Sequence, residues 1–190
     1  MDVFDLMDES KKLLNEKKYA EALEKLYQAL DGITDKSTQI LEQSWIQSGL
    51  GRCYFEQAMK AKNTDKVGKL FGKAVEHFQE GLRLAKADGQ NNADGQNNIL
   101  QISAQSWLGR CYFEQAMKAK DIDKADKLFG EAVKYYNAWL KLAEKQNNIW
   151  QQINVQSRLG RCYFEQAMRA KDTDEADKLF GEAVKYYNAW

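Results

Sequence analysis

The sequence has 190 residues, and its 28 lysines and arginines are balanced by 28 aspartates and glutamates. A neutral chain without a basic block lacks the electrostatic footprint of a nucleic-acid-binding protein, so we expect no nucleic-acid partner. No apolar run reaches the roughly 18 residues that a membrane helix needs, and the acidic start, MDVFDLMDES, lacks a signal-peptide pattern. We therefore expect a cytoplasmic protein with no membrane partner.

The composition favours helices along the whole chain. Proline is absent, and Ala, Leu, Lys, Glu and Gln, which are good helix formers, are abundant. The first 33 residues predict a short helix pair, because VFDLMDESKKLL and AEALEKLYQAL are amphipathic at helical spacing and NEKKY lies between them as a turn. Asp31 and Gly32 are expected to end the second helix, since glycine is favoured just past a helix C-terminus.

A nine-residue string, GRCYFEQAM, then occurs three times, at 51–59, 109–117 and 160–168. The first two copies start 58 residues apart and the last two 51 apart. The extra length has a visible cause, because ADGQNN is written twice over residues 87–98. This doubled hexamer is polar and contains glycine, so we expect it to form a tolerant surface loop between repeats.

The last two repeats are nearly identical in sequence. Residues 106–139 and 157–190 differ at four positions only, which are Trp107/Arg158, Lys118/Arg169, Ile122/Thr173 and Lys124/Glu175. The final copy stops where the preceding one continues as Leu140. We therefore expect an array that is cut short and that is part of a longer protein.

Each repeat predicts two helices joined by a short turn. Leu108, Tyr112 and Ala116 mark one apolar stripe, and a second stripe at spacings of three and four runs from Ala125 to Leu140. Asp121 is a candidate N-cap for the second helix, as are Asp172 and Asn63 in the other copies. One alternative stays open. The two stripes continue at an average of about 3.5 residues without a break, so one long helix, exchanged between two chains, is also compatible with the pattern.

The residues Leu108-Gly109, Tyr112, Ala125, Phe129 and Ala132 resemble the tetratricopeptide signature L-G-x-x-Y followed by A-x-x-x-F-x-x-A. Two further copies carry the same residues, with Val67 in place of the first alanine in one of them: Leu50-Gly51, Tyr54, Val67, Phe71, Ala74, and Leu159-Gly160, Tyr163, Ala176, Phe180, Ala183. The spacing from Tyr112 to Ala125 is four residues longer than in that signature and partly resembles Sel-like repeats.

The resemblance implies an all-α fold, namely a right-handed α-solenoid of antiparallel helix hairpins with long helices. One array of about four units is expected, at about 1–34, 35–92, 98–146 and 148–190. A single hairpin cannot bury both its faces, so stacked neighbours must share a core. Gly51, Gly109 and Gly160 recur where close backbone approach to a neighbour is expected, because glycine within a helix otherwise costs about 1 kcal/mol relative to alanine.

Catalysis finds little support in the sequence. The single histidine, His77, aligns with Tyr135 and Tyr186, so we expect it to fill an aromatic position. Cys53, Cys111 and Cys162 are equivalent positions, one per repeat, and are expected to be small core residues. With no His/Cys cluster and no phosphate-cradling glycine loop, we predict no enzyme, no metal and no cofactor.

The resemblance implies a protein or peptide partner bound in the concave groove, which is built from the first helix of each unit. The candidate groove residues are Arg52, Glu56, Gln105, Ser106, Trp107, Arg110, Glu114, Arg161 and Glu165. Two interpretations of the Arg–Glu row remain open: pairs at i,i+4 that are worth a few tenths of a kcal/mol each, or arginine forks that accept a carboxylate or peptide carbonyls.

The C-terminal end is a second candidate surface. Tyr186, Tyr187 and Trp190 are expected to face solvent with no following repeat to cover them. Self-association through this end, by symmetric stacking or exchange of helices, is the alternative function to peptide binding. A self-assembling solenoid of near-identical units would need no fixed peptide ligand.

Overall fold

The computed structural model describes residues 2–35, 39–88 and 96–189. These residues form eight α-helices and no strand, which confirms the all-α prediction. In chain order the helices are α1 Val3–Asn15, α2 Tyr19–Asp31, α3 Ile40–Lys60, α4 Thr64–Asp88, α5 Gln96–Lys118, α6 Ile122–Lys145, α7 Ile149–Ala167 and α8 Thr173–Tyr187. Helices α4 and α5 extend into the predicted polar loop from both sides, and its remaining residues, 89–95, lie outside the described residues.

The chain divides into two compact units, Met1–Ala104 and Gln105–Trp190. In the first unit α1 packs on α2, α2 on α3, and α3 on α4. The core between α1, α2 and α3 contains Leu13, Leu26 and Ile46, all less than 9% exposed. The turn that joins α1 to α2 is closed by Lys17 in a left-handed conformation, with φ of 61°.

The second unit repeats this arrangement with the rest of α5 and with α6, α7 and α8. Helix α6 packs on α7, and α7 on α8. The buried stripe of α7 consists of Val155, Leu159 and Cys162, each fully buried. The indole N–H of Trp139 donates to the side-chain oxygen of Gln151 at 3.0 Å, which joins α6 to the start of α7.

The turns confirm the hairpin prediction over the single long helix. Helix α5 ends at Lys118, and Asp121 has an extended backbone before α6 begins. The Asp121 carboxylate accepts the backbone N–H of Lys124 at 2.7 Å, as an N-cap does. Asp172 caps α8 in the same way, and Asn63 caps α4. A polar capping residue therefore starts a new helix at α4, α6 and α8, although the spacing of the apolar residues alone would have allowed one continuous helix.

The recurring glycines lie against the aromatic ring of the second helix in their hairpins. A Cβ atom added to Gly51 would lie 2.8 Å from the Phe78 ring, and one added to Gly160 would lie 2.8 Å from the Tyr187 ring. At Gly109 the ring of Tyr136 is closer still. The prediction of close approach is confirmed, and the neighbour proves to be a ring rather than a backbone.

Two aromatic contacts are common to the hairpins and hold the paired helices together. A T-shaped phenylalanine pair with ring centroids 5.7–5.9 Å apart recurs as Phe55–Phe71, Phe113–Phe129 and Phe164–Phe180. A stacked pair recurs as Tyr54–His77, Tyr112–Tyr135 and Tyr163–Tyr186. His77 thus occupies the aromatic position that the alignment predicts for it.

Arg169 joins the ends of α5 and α7 in the second unit. Its guanidinium donates to the backbone oxygens of Ala116 at 3.0 Å, Met117 at 2.8 Å and Ala119 at 3.3 Å. These carbonyls belong to the last turn of α5 and to the turn that follows, where backbone oxygens lose their i+4 partners. The Ala116 oxygen also accepts the backbone N–H of Ala119 at 3.1 Å. Lysine stands at the equivalent position in the preceding repeat, and a single ammonium lacks this planar fork.

Candidate functional site

The first Arg–Glu pair of the predicted groove lies on α3, beside the start of α2. Arg52 is half-buried there. Burial raises the pKa of the Tyr19 hydroxyl, and the nearby Glu56 carboxylate raises it further. The ammonium of Lys60 lies 4.5 Å above the Tyr19 ring. In the first unit the predicted pair is therefore part of a contact with α2.

The other two arginines of the predicted row come together in the second unit. A cleft of about 300 Å³ lies between α5, α6 and α7. We call it the arginine cleft, and its lining residues are Arg110, Phe113, Glu114, Tyr136, Arg158 and Arg161. The structure thus brings together three of the predicted groove residues, Arg110, Glu114 and Arg161, and adds Phe113, Tyr136 and Arg158, which were not among the predicted groove residues.

Each arginine of the cleft lies over an aromatic ring. The guanidinium carbon of Arg161 is 4.8 Å from the centre of the Phe113 ring, and that of Arg110 is 5.1 Å from the ring of Trp107. Arg158 lies 5.9 Å from the ring of Trp139. An aromatic face attracts a cation and limits its orientation, so these contacts restrict the three guanidinium groups.

Tyr136 forms the floor of the cleft and is 2% exposed. Burial raises the pKa of its hydroxyl well above 10, so this group is neutral at physiological pH. The nearby Arg158 guanidinium lowers the pKa of that hydroxyl, but its effect does not outweigh burial. A neutral hydroxyl at the floor of a cationic cleft can both accept from an arginine and donate to a bound group.

The cleft carries more positive than negative charge. Three of its six lining residues are arginines and one is a glutamate, which gives an excess of two positive charges. Arg161 faces Glu165 one turn along α7, but the distance from Nε to the carboxylate is 3.9 Å, at the limit of an ion pair. Its side chain is also 61% exposed. The i,i+4 pairing therefore engages Arg161 only weakly and leaves its fork accessible.

The remaining predicted groove residues fall in different places. Trp107 is half-buried beneath Arg110, and Ser106 beside it is also partly exposed. Gln105 is only 4% exposed, so its side chain is not part of an open surface. Arg158 lines the cleft, although in the sequence it stands out only as a difference between repeats. One signal for Arg158 was available in the sequence: it takes the place of Trp107, and this is one of only four differences between the two repeats.

The predicted self-association residues are also distributed unevenly. Tyr186 packs inside its hairpin against Tyr163 and donates to the side-chain oxygen of Asn137 at 3.4 Å. Tyr187 is 38% exposed. Trp190 lies outside the described residues. Further exposed apolar side chains occur nearby in the α7–α8 hairpin, and we call the set the end face: Phe164, Met168, Val184 and Tyr187.

The end face has a covered counterpart within the same unit. Phe113, the equivalent of Phe164, is 6% exposed, whereas Phe164 is 42% exposed. Tyr136, the equivalent of Tyr187, is 2% exposed against 38%. Helix α7 packs against α6, and its Arg161 lies over the Phe113 ring. The same residues are therefore buried in one hairpin and exposed in the next.

The three cysteines are free thiols in the core. Burial raises the pKa of Cys53 and of Cys162 to about 12, and it raises that of Cys111 further. A protonated, buried thiol is a poor nucleophile. Within the described residues no three His, Cys, Asp or Glu side chains are grouped as metal ligands, and no helix is long and apolar enough to cross a membrane.

Two segments of the chain match a known family. Residues 103–136 and 155–187 each match the family described as Tetratricopeptide repeat. The first match covers parts of α5 and α6, and the second covers part of α7 and all of α8. These are the hairpins that carry the arginine cleft and the end face. No curated protein matches the chain.

Proposed function

We propose that this chain, a tetratricopeptide-like repeat protein, is a non-catalytic scaffold that binds an acidic segment of another protein. Tetratricopeptide repeats generally mediate protein–protein interaction, and the arginine cleft is the observation that carries the finer proposal. We place the protein in the cytoplasm as part of this proposal, because its three cysteines are unpaired thiols, as expected in a reducing compartment.

The charge and geometry of the cleft support an acidic partner. Guanidinium forks bind carboxylates through two parallel hydrogen bonds, and charge-assisted bonds of this kind are about twice as strong as neutral ones. Arg158 and Arg161 present their forks from one helix, α7, and Arg110 presents its fork from α5. Side chains on rigid helices need little rearrangement on binding, which favours affinity.

Charge reversal in the cleft tests this proposal. The chain carrying Arg158→Glu and Arg161→Glu is compared with the wild type and with Arg83→Glu, which reverses an exposed arginine on α4 that pairs with Glu80. Partners are captured from cell extract and quantified. We expect at least one partner to be recovered about tenfold less by the cleft variant and unchanged by the control. Equal recovery of every partner by all three proteins would rule out the cleft as the binding site.

A variant at Arg52 reports on the first unit. The Arg52 side chain lies at the contact with α2 and is less exposed than Arg161. If the groove of the resemblance extends to this unit, Arg52→Ala will also lower recovery of the same partner. If only the arginine cleft binds, recovery will stay at the wild-type level.

A second candidate function is self-assembly through the end face. The exposure of Phe164 and Tyr187, whose equivalents are buried under a helix of this chain, favours it. The occupant in this proposal is a second copy of the chain, since the copy supplies the same apolar residues and a symmetric contact pairs each patch with itself. Sedimentation at rising protein concentration tests it.

A further inference from the structure

The arginine cleft combines three guanidinium groups with a hydroxyl, which is more than one carboxylate can use. A carboxylate offers two oxygens in one plane, and one or two forks satisfy it. A phosphate monoester offers three terminal oxygens arranged as a tetrahedron, and it carries about −1.5 to −2 charges at pH 7. The number of donors in the cleft therefore fits the phosphate group better.

The net charge of the lining agrees with this. Arg110, Arg158 and Arg161 against Glu114 leave two positive charges, which a dianion neutralises. Arginine stays protonated throughout the physiological range, so this excess does not depend on pH. Tyr136 stays neutral because burial raises its pKa, so it adds a hydrogen-bonding group and no opposing charge.

The size of the cleft also suits a phosphorylated side chain. A volume of about 300 Å³ corresponds to about ten water molecules at about 30 Å³ each. This is enough for a phosphate group and the few carbon atoms that attach it to a peptide. The Phe113 and Trp107 rings under Arg161 and Arg110 hold two of the forks in place before the ligand arrives.

A comparison of the last two repeats shows which substitution supplies the second arginine of α7. Arg158 replaces the tryptophan that stands at position 107 of the preceding repeat, and this is one of four differences between the two copies. The replacement places a second guanidinium on α7, three residues before Arg161, on the side of the helix that lines the cleft. A helix with tryptophan there would supply one fork in place of two.

We propose that the arginine cleft binds a phosphate monoester on a partner protein, so that phosphorylation of the partner controls its binding. This inference rests on the proposed function, because it names the acidic group that the scaffold recognises. Arg110, Arg158 and Arg161 bind the terminal oxygens, and the Tyr136 hydroxyl lies beneath them.

Four capped peptides of the form acetyl-Ala-X-Ala-amide test it: three tripeptides in which X is phosphoserine, serine or glutamate, and one tetrapeptide in which X is a Glu-Glu pair. Binding to the full chain is followed by the NMR signals of the arginine Nε–H groups, which report directly on the cleft. We expect the phosphoserine peptide to shift the signals of Arg158 and Arg161 saturably and the serine peptide to leave them unchanged. The glutamate peptide should bind at least about tenfold more weakly, because it offers one charge and two oxygens.

A pH series separates phosphate from carboxylate. The second pKa of a phosphate monoester is about 6, so affinity for the phosphoserine peptide should fall between pH 7.5 and 5.5 as the dianion takes up a proton. Binding of a carboxylate peptide should change little in this interval, because the side-chain carboxyl of glutamate titrates near 4.3. The charged and titratable groups at the cleft are the three arginines, Glu114 and Tyr136 in its lining, and Glu165 beside Arg161.

Two variants complete the test. Arg158→Trp installs the residue of the preceding repeat and should weaken the phosphoserine peptide about tenfold or more, since a charge-assisted partner is lost. Arg158→Lys keeps the charge but loses the fork, and should give an intermediate affinity. Circular dichroism is used to check that both variants remain folded.

The outcomes distinguish this inference from the proposed function. Equal binding of the Glu-Glu and phosphoserine peptides, with no pH dependence, would overturn phosphate recognition and leave acidic recognition standing. Unchanged arginine signals with every peptide would also overturn it, while the capture experiment with the charge-reversed cleft would still decide whether the cleft binds partners.

Discussion

The three recurring glycines differ in how freely the ring above them can move, and this sets the cost of adding a methyl group. Tyr136 above Gly109 is buried, whereas Tyr187 above Gly160 is 38% exposed. Gly109→Ala should therefore lower the free energy of unfolding by roughly 1–2 kcal/mol, because a close-packed ring must shift. At Gly160 the ring can move outward, and Gly160→Ala should be close to neutral.

Gly130 provides the matched control for this pair. It lies within α6, and a Cβ atom added there would meet nothing within 4 Å. Gly130→Ala should raise the free energy of unfolding by up to about 1 kcal/mol, the difference in helix propensity. Urea unfolding of the three variants measures all three values. A destabilisation by Gly160→Ala as large as that by Gly109→Ala would contradict the role of ring exposure.

The positions of these glycines could be predicted from the sequence, but their neighbours could not. A recurring glycine inside a helix indicates close approach, because its propensity cost needs a packing reason. The identity of the ring depends on how two helices cross, and the linear spacing does not contain that angle. Gln105 was predicted to lie in the groove, but its side chain is buried. One residue step turns a helix by about 100°, so adjacent residues lie on different faces, and the spacing alone does not show which face is covered.

At the scale of helices, a hydrogen-bonded cluster around His77 links α2, α3 and α4. The side-chain oxygen of Gln47 lies 2.7 Å from Nδ1 of His77, and the Tyr27 hydroxyl lies 3.3 Å from Nε2. The hydroxyls of Tyr27 and Tyr54 are 3.0 Å apart. The side-chain oxygen of Gln47 can only accept, so Nδ1 of His77 donates to it. With Nε2 accepting from the Tyr27 hydroxyl, the ring carries one proton and is neutral.

Protonation of His77 should therefore destabilise the first unit. Burial lowers the pKa of His77 below 6.5, and the neighbouring Lys73 lowers it further, while Glu76 opposes the shift. Well above pH 6.5 both the folded and the unfolded chain are neutral at this residue, so its contribution to stability is fully present. As the pH falls below 6.5, the unfolded chain takes up the proton first, and stability is lost down to the lower pKa of the folded state.

His77→Tyr, which installs the residue of the other two repeats, isolates this effect. Unfolding in urea is measured between pH 7.5 and 5.0 for the wild type and the variant. The loss of stability below pH 6.5 should be larger in the wild type than in His77→Tyr. Parallel curves for the two proteins would show that His77 does not titrate differently in the folded and unfolded states.

The helix pairs themselves could be predicted because several local signals agree. The apolar stripes, the capping residues and the turn NEKKY all indicate hairpins, and the structure has them. The arginine cleft could be predicted only in part. Arg110 and Arg161 follow the repeated glycine, but Arg158 and Tyr136 enter the cleft because α7 crosses α5 and α6 at that point. Contacts of this kind depend on tertiary packing rather than on the repeat.

At the scale of the whole molecule, the end face predicts association of two copies. A large exposed apolar group such as Phe164 costs free energy in water, at roughly 25 cal/mol per Å² of apolar surface. A second copy can cover it with the same surface. We expect the wild-type chain to show concentration-dependent dimers in sedimentation equilibrium, because each copy removes the apolar area of the other from water.

Val184→Asp places a charge within the end face, at a residue that is already 54% exposed, so the fold should tolerate it. This variant should sediment as a monomer at concentrations where the wild type is dimeric. Trp150→Ser is the control, because Trp150 is 68% exposed but lies four turns of α7 away from Phe164. The control should dimerise like the wild type, since it leaves the end face intact. A monomeric wild type, or equal dimerisation of Val184→Asp, would exclude self-assembly through the end face.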